Sequence, residues 1–486
     1  MPFLTSEGPS IIIVGAGIGG LTTALHLHAH GFKNIDVFEA SPTLTTLGVG
    51  INVQPHAVLI LRDLGLLPAM ESIGVKTKEL NFYNRHGDEI VREPRGLDAG
   101  YVIPQFSIHR GEFQIMLLDA VKDRLGSERV HLGHRFTDFS QDERAGTVTA
   151  NFIGQGQTTP TQIPSRTADI LIAADGINST ARRILYPKEG PPRFSGRILW
   201  RGCTERAPYL TGASMIWAGH ANQKFIAYPI SARSVQRGKS LVNWICELRV
   251  RDENDPDMTP PETNWLNTVP KERFLGPFEK WDVGGLKVKD LVEETEKLYE
   301  FPMCDRDPVA QWSFGRLTLL GDAAHPMYPI GSNGASQAIL DAEALTNSLL
   351  SHNVSTDLTA IPAALLSYQN IRLPPTAKIV MANRGNGPDQ VMQVAEERAP
   401  DGFKNILDVI PKEELEGIGK AYKAVAGFEI ESVNAKASAS EGMAGKMDLK
   451  SPKAWVSSTR ANEASGVYAV AQPGFPFDKV ASLSRI

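Results

Sequence analysis

The stretch "PSIIIVGAGIGGLTTALHLHAHGFKNIDVFEA", residues 9–40, decides the fold. Ile11 to Val14 are four consecutive apolar residues and read as a strand buried on both faces. Gly15-x-Gly17-x-x-Gly20 follows without a gap. Ile18, Leu21, Leu25 and His28 then fall at helical spacing, and Gly31 can end that helix. "NIDVFEA" (34–40) reads as the next strand. Strand, glycine turn, helix and strand make a βαβ unit of about 30 residues. Gly15 permits the tight turn, Gly17 lets a pyrophosphate approach the backbone, and Gly20 lets helix and strand pack closely. The helix N-terminus adds free N–H groups and a partial positive charge. Glu39 closes the second strand, where an acid can accept hydrogen bonds from both ribose hydroxyls. It would repel a 2′-phosphate, so the fingerprint predicts NAD or FAD rather than NADP and leaves those two open.

Working outward, Pro55 can open a helix over 55–64, and "RGEFQIMLLDAVKDRLG" (110–126) reads as an amphipathic helix stopped by Gly126. "ADILIAADG" (168–176) is another buried strand ending in an acid and a glycine. Residues 79–104 look like strands and loops. From about 190 to 300 tryptophans recur (Trp200, Trp217, Trp244, Trp265, Trp281) and "SLVNWICEL" (240–248) reads as a strand, which suggests a second, sheet-containing domain. "LTLLGDAAHPMYPIGSNGASQAI" (317–339) restores the α/β pattern and leads into a helix over about 335–350. After about 395 the chain turns Ala-, Lys-, Glu- and Ser-rich, a composition expected to be mobile or loosely attached.

The whole chain of 486 residues suits two to three domains. A net charge of −5 gives no broad basic field for nucleic acid. Cys203, Cys246 and Cys304 lie far apart and form neither a disulfide framework nor a zinc pattern, as in a reduced, intracellular, cytoplasmic protein. No apolar run is long enough for a membrane span, and the N-terminus lacks a signal-peptide layout. Ser484-Arg485-Ile486 loosely resembles the S-K-L peroxisomal address, although an accidental match explains it as well.

Each candidate site residue has a plainer reading beside it. Arg110 stands at a helix mouth, where a cation is electrostatically disfavoured unless an anion sits beside it. Asp175, with Gly176, ends a buried strand where open sheets bind ligands, but it suits a helix cap equally. Asp322 has the same placement, and Pro329, Gly331 and Gly334 then bring a helix N-terminus toward a ligand. His325 is the nearest base, though histidines so placed are more often structural. No Gly-x-Ser-x-Gly, His-Glu-x-x-His or cysteine pair supports serine-nucleophile, metal or disulfide chemistry.

Four motifs, "GAGIGG…E", "SIHRGEFQ" (107–114), "AADGINSTAR" (173–182) and "GDAAHPMYPIGSNGAS" (321–336), resemble the FAD-dependent aromatic hydroxylases of the p-hydroxybenzoate hydroxylase class. The resemblance spans about residues 10–385. "LGVGINVQP" (47–55), "EPRGLDAG" (93–100), "AYPISAR" (227–233) and "GKSLVNWIC" (238–246) look most similar to its pyocyanin-forming, phenazine-hydroxylating members. The family resemblance implies that Gly15, Gly17, Gly20 and Glu39 hold the adenosine half of FAD. Gly50 would approach the cofactor by its backbone. Arg110 would contact FAD with Gln114 beside it, and Asp175 and Gly176 would help position FAD and NAD(P)H. Asp322 would bind the ribityl or pyrophosphate portion, and the backbone of Ala335 and Ser336 would face the isoalloxazine. Pro329 would border oxygen transfer. Arg201, Tyr228 and Tyr328 are pocket candidates. Some relatives carry a histidine four residues before the tyrosine of the "YP" pair; here Lys224 precedes Tyr228, which removes one partner of a phenol-activating pair.

The chemistry implied is reduction of FAD by NADH or NADPH, capture of O2 as a flavin C4a-hydroperoxide, and transfer of oxygen to a small aromatic ring. An aromatic acid that loses its carboxylate is one course open to it. Such chemistry needs a dry pocket. The expected fold is α/β: a Rossmann-like FAD-binding domain (9–78, 105–190 and 300–395), an inserted mixed-sheet substrate domain (79–104 and 191–299) and a helical extension (396–486). A non-catalytic binding protein of GDP-dissociation-inhibitor type shares this fold, but Arg110, Asp322 and the Gly331–Gly334 loop favour the enzyme. A flavin halogenase would carry Trp-x-Trp-x-Ile-Pro, which is absent.

Overall fold

The structure is a computed structural model that describes residues 8–46, 48–154, 161–252, 255, 257–261 and 269–441. Trp265, the segment from 442 onward and the terminal Ser484-Arg485-Ile486 lie outside the described residues.

The opening stretch forms strand Ile11–Val14, helix Ile18–Ala29 and strand Ile35–Phe38. The strand residues are buried on both faces because parallel neighbours and helices cover them. Ile11–Val14 pairs in parallel with Ile35–Phe38 on one side and with Ile170–Ala173 on the other. The sheet has six strands, in the spatial order 313–314, 317–319, 170–173, 11–14, 35–38 and 130–131. Its first pair is antiparallel. The fold is α/β with a Rossmann-like sheet, and its helices Ile18–Ala29, Arg110–Leu125 and Gly334–Ser351 start and stop near the expected positions. Gly126 and Gly31, both at positive φ, follow two of these helices.

A second, seven-stranded mixed sheet joins strands from 79–94 to strands from 193–305. All of its pairings are antiparallel except Ser214–His220 against Glu79–Tyr83. Alternation in Ser240–Arg249 sends Val242, Trp244 and Cys246 into one core, while Asn243, Ile245 and Glu247 share the opposite face. That second face looks toward the glycine-rich loop 329–334, with Tyr328 and Ile330 packing on Leu199 and Ile245.

The segment expected to be loosely attached differs from that expectation as far as it is described. Helices Lys412–Ala426 and Ile430–Glu441 place Tyr422, Ala426, Phe428 and Val433 in the main core. Tyr101 donates its hydroxyl proton to the Phe428 carbonyl, and Asn434 bonds the backbone of both Gly100 and Val102. Large apolar residues are few here, but they fall on one helical face, which is what docking requires. No helix among the described residues is long and apolar enough to cross a membrane.

Candidate active site

A cavity of about 310 Å3 lies between the two sheets. Arg110, Asp322 and the helix mouth at Gly334 and Ala335 line it, together with Arg201, Tyr228, Trp217 and Tyr328. Pro329 and Gly50 also border the cavity. Gly15, Gly17, Gly20, Glu39, Gln114, Asp175 and Ser336 are not part of its wall.

The fingerprint turn is shaped by close contacts at two of its glycines and by open space at the third. A Cβ on Gly15 would overlap the Ala174 carbonyl, and one on Gly20 would overlap the Gly15 carbonyl. A Cβ on Gly17 would meet nothing within 4 Å, so packing does not explain that glycine. Space in front of a helix N-terminus is what a phosphate group needs. Glu39 braces the turn: one carboxylate oxygen accepts from Ala16 N–H (2.9 Å) and the other from Ser41 N–H (2.7 Å). Each oxygen keeps a lone pair for a hydroxyl. Gln114 Nε2 donates to the Ala16 carbonyl (2.7 Å), so its described contact supports the turn from behind.

Arg110 and Asp322 face the cavity, and among the described residues neither side chain has a hydrogen-bond partner. Asp322 is open to the cavity yet deep within the fold. Burial raises its carboxyl above the ordinary value, while His325 and Arg110 pull it down. The open side chain and the buried setting agree once the cavity is taken as a ligand's place. An unpaired guanidinium, an unpaired carboxylate and a free helix N-terminus around one space fit a cofactor carrying both phosphates and hydroxyls.

His325 takes the structural role. Its Nε2 contacts Asp341 Oδ2 (2.5 Å), Arg372 Nε donates to Asp341 Oδ1 (2.7 Å), and Gly321 N–H also reaches Asp341 (3.1 Å). Burial alone would raise Asp341, but the charges and hydrogen bonds of His325 and Arg372 outweigh it and hold the acid at about 2. The triad fixes the backbone beside Asp322. Asp175 makes the contacts of a cap, accepting from Ser179 Oγ (2.6 Å) and Thr180 N–H (2.7 Å). Its neighbour Gly176 lines the cavity. Ser336 Oγ accepts from Gln54 N–H (3.0 Å), which ties the second helix mouth to the strand after Gly50.

The Gly50 backbone, which the resemblance brings to a cofactor, has its N–H and carbonyl engaged by side chains of the seven-stranded sheet. Its N–H donates to Asn243 Oδ1 (2.7 Å), and its carbonyl accepts from Tyr228 Oη (2.9 Å) and Arg201 Nη2 (3.1 Å). A Cβ there would lie 2.6 Å from the Tyr228 ring. Burial pushes Tyr228 up to about 12, against the pull of Arg201, so it remains a hydrogen-bond donor at neutral pH. Tyr328 is likewise pushed to about 12 by burial. Arg201 Nε is buried without a partner among the described residues, and its guanidinium carbon lies 5.9 Å from the Phe301 ring centre.

Sequence reasoning named Lys224 beside Tyr228 but missed its partners. Lys224 is fully buried, 2.5 Å from Asp389 Oδ2 and 3.7 Å from Glu247 Oε1, so this lysine is already paired. Glu247 and Asp389 edge the cavity. A polar residue within an apolar strand pattern was the available signal for Asn243 and Glu247; nothing local marks Asp389.

The family model described as "FAD binding domain" matches residues 9–272 and 286–383. The chain is 44% identical over 381 residues to phenazine 1,6-dicarboxylic acid hydroxylase PhzS of Lysobacter antibioticus, covering 78% of this chain and 90% of that protein. It is 30% identical to 6-hydroxynicotinate 3-monooxygenase of Pseudomonas fluorescens, covering 71% and 83%. A solved salicylate hydroxylase substrate complex superposes with a TM-score of 0.66 at 22% identity, covering 89% of this chain and 98% of the other, a likeness of fold.

Proposed function

We propose, for a chain that belongs to the FAD binding domain family of aromatic monooxygenases, that the cavity hydroxylates an aromatic carboxylic acid. The chain is an FAD-dependent enzyme that uses NAD(P)H and O2 on a small aromatic substrate. The observation that carries the finer reading is Arg201: a permanently charged fork with a buried, unpartnered Nε, set in a wall of Trp217, Leu199, Ile226 and Ile245. Burial lowers the pKa of Arg201, yet a guanidinium so far above neutrality keeps its proton. The phenazine relative is named for a dicarboxylic acid, which points to the same class.

Bound FAD supplies the acceptance of electrons from NADH or NADPH and the activation of O2. Gly17 and the helix behind it would take the pyrophosphate, and Glu39 the ribose. Arg110 would meet an anionic part of the cofactor, and Asp322 would accept hydrogen bonds from ribityl hydroxyls. The N–H groups at Ala335 and Ser336 would face the ring, with Pro329 beside the site of oxygen transfer. Arg201 would pair with the substrate carboxylate. Tyr228, through Gly50, would fix where Arg201 stands rather than take a proton. The apolar walls exclude water. Loss of the substrate carboxylate remains a further course of the same reaction. An intracellular setting accords with three free thiols, all pushed up by burial, Cys203 to about 12, Cys304 to about 11 and Cys246 well above its ordinary value.

The test is a panel of mono- to tricyclic aromatic acids, each beside its neutral amide, scored for stimulated NAD(P)H oxidation. Mass spectrometry then follows gained oxygen and lost CO2. Acids are expected to stimulate and amides not to. Equal stimulation by the amides would refute the carboxylate reading.

A further inference from the structure

The family match ends at Asn383, but the chain continues as helices Gln390–Arg398, Lys412–Ala426 and Ile430–Glu441. The second of these returns to the loop that borders the cavity. Its Tyr422 is buried against the loop that follows Pro329, where a Cβ on Gly331 would overlap the Tyr422 hydroxyl and ring. That loop is unusual in its backbone: Gly331 has φ of 74° and Ser332 has φ of 51°. Serine enters the left-handed region at a cost, and stays there where the surroundings hold it.

Named contacts hold it. The Tyr422 hydroxyl lies 3.2 Å from Asn383 Oδ1 and 3.4 Å from the Ile330 carbonyl, with one proton to share between them. Asn383, itself fully buried, donates from Nδ2 to the Tyr328 carbonyl (3.0 Å). From the other side, Asn52 Nδ2 donates to Ser332 Oγ (3.3 Å). Tyr328, Ile330, Gly331 and Ser332 all line the cavity. Of these anchors, Tyr422 alone lies beyond the matched region.

We propose that Tyr422 is a positioning residue that holds the 328–333 loop in its left-handed form and thereby sets the cavity wall that bound FAD meets. It reaches the site through Asn383 and the loop backbone. The inference rests on the reading of this cavity as the FAD site. The C-terminal extension is then part of the active-site framework.

The test compares full-length wild type, Tyr422→Phe and Tyr422→Ala by hydrogen–deuterium exchange without added FAD, and by titration with FAD followed in its visible absorption. The phenylalanine variant keeps the ring and loses the shared proton. Amides in 328–334 should exchange about fivefold faster in it, the factor for one lost hydrogen bond, while those of Ile11–Val14 keep wild-type protection. FAD should bind about fivefold more weakly, and more weakly still in Tyr422→Ala. A purely structural role would lower the melting temperature with loop exchange and FAD affinity unchanged; that result overturns the proposal. If Tyr422→Ala does not fold, Tyr422→Phe decides alone. Wild-type protein that takes up no FAD would refute the cofactor reading instead, since the exchange measurement needs no cofactor.

Discussion

Gly17→Ala and Gly20→Ala add the same methyl group three residues apart and should have opposite consequences. At Gly17 the backbone φ of −74° suits alanine, and the new Cβ meets no protein atom within 4 Å. Alanine gains about 0.4–1 kcal/mol from a less flexible unfolded chain. It gives back about the same as a poorer N-cap than glycine. Stability without FAD should therefore stay within about 0.5 kcal/mol of wild type. The methyl group instead fills the space assigned to a phosphate. Losing one charge-assisted hydrogen bond of about 1.5–3 kcal/mol weakens FAD by about 10- to 150-fold. At Gly20 the Cβ overlaps the Gly15 carbonyl, so backbone must move. Overpacking of that kind costs about 1–3 kcal/mol or more of stability before any ligand is added. Denaturant unfolding without FAD measures the first quantity and quenching of flavin fluorescence the second. Wild-type FAD affinity in Gly17→Ala would refute the assignment of that space. So would a loss of FAD-free stability as large as that of Gly20→Ala.

Asp322→Ala should weaken FAD by about 10- to 150-fold, because a carboxylate acceptor for cofactor hydroxyls is lost; unchanged affinity in the same titration would remove Asp322 from the site. Arg110→Lys should lower both FAD affinity and turnover, since a point charge does not replace a planar fork; wild-type values would count against its placement. Tyr228→Phe should slow turnover while leaving the pH–rate profile between about pH 6 and 9 unchanged in shape, because a phenol pushed to about 12 does not titrate there. Disappearance of an ionisation in that range would identify Tyr228 as a base after all. Burial holds His56 at about 3, with neither ring nitrogen bonded among the described residues. The unfolded chain takes up that proton near 6.5 and the folded one does not, so the stability His56 contributes is present above about 6.5 and drains away as pH falls toward about 3. His56→Phe should flatten unfolding free energy against pH in that window by up to about 1.4 kcal/mol per pH unit, and an unaltered slope would refute it.

Much of the nucleotide-binding half was legible because its signals are local. Glycine spacing, a four-residue apolar run and Glu39 lie within one βαβ unit, and the helices at 18, 55, 110 and 334 start near proline, glycine or charge signals. The substrate half is assembled from distant partners. Asn243 holds Gly50 across 193 residues and Lys224 holds Asp389 across 165. No window of sequence contains either pair. Asp175 shows another limit: a cap and a ligand use the same residue at the same strand end, and only its three-dimensional neighbours separate them. In the extension, composition counted few large apolar side chains, but docking depends on where Tyr422, Phe428 and Val433 fall rather than on how many there are.

Gly50 is held at its N–H by Asn243 and at its carbonyl by Tyr228 and Arg201. The strand it opens, Gly50–Val53, leads through Gln54 to Ser336 at the helix mouth assigned to the flavin ring. On the proposed reading, Arg201 would divide its guanidinium between that backbone carbonyl and an anion in the cavity. An acid that drew Arg201 away from that carbonyl would loosen one of the strand's tethers, and the strand's link through Gln54 to Ser336 would carry that change to the helix mouth. Thermodynamic reciprocity then fixes the return effect: whatever factor the acid applies to flavin affinity, flavin applies to the affinity for the acid.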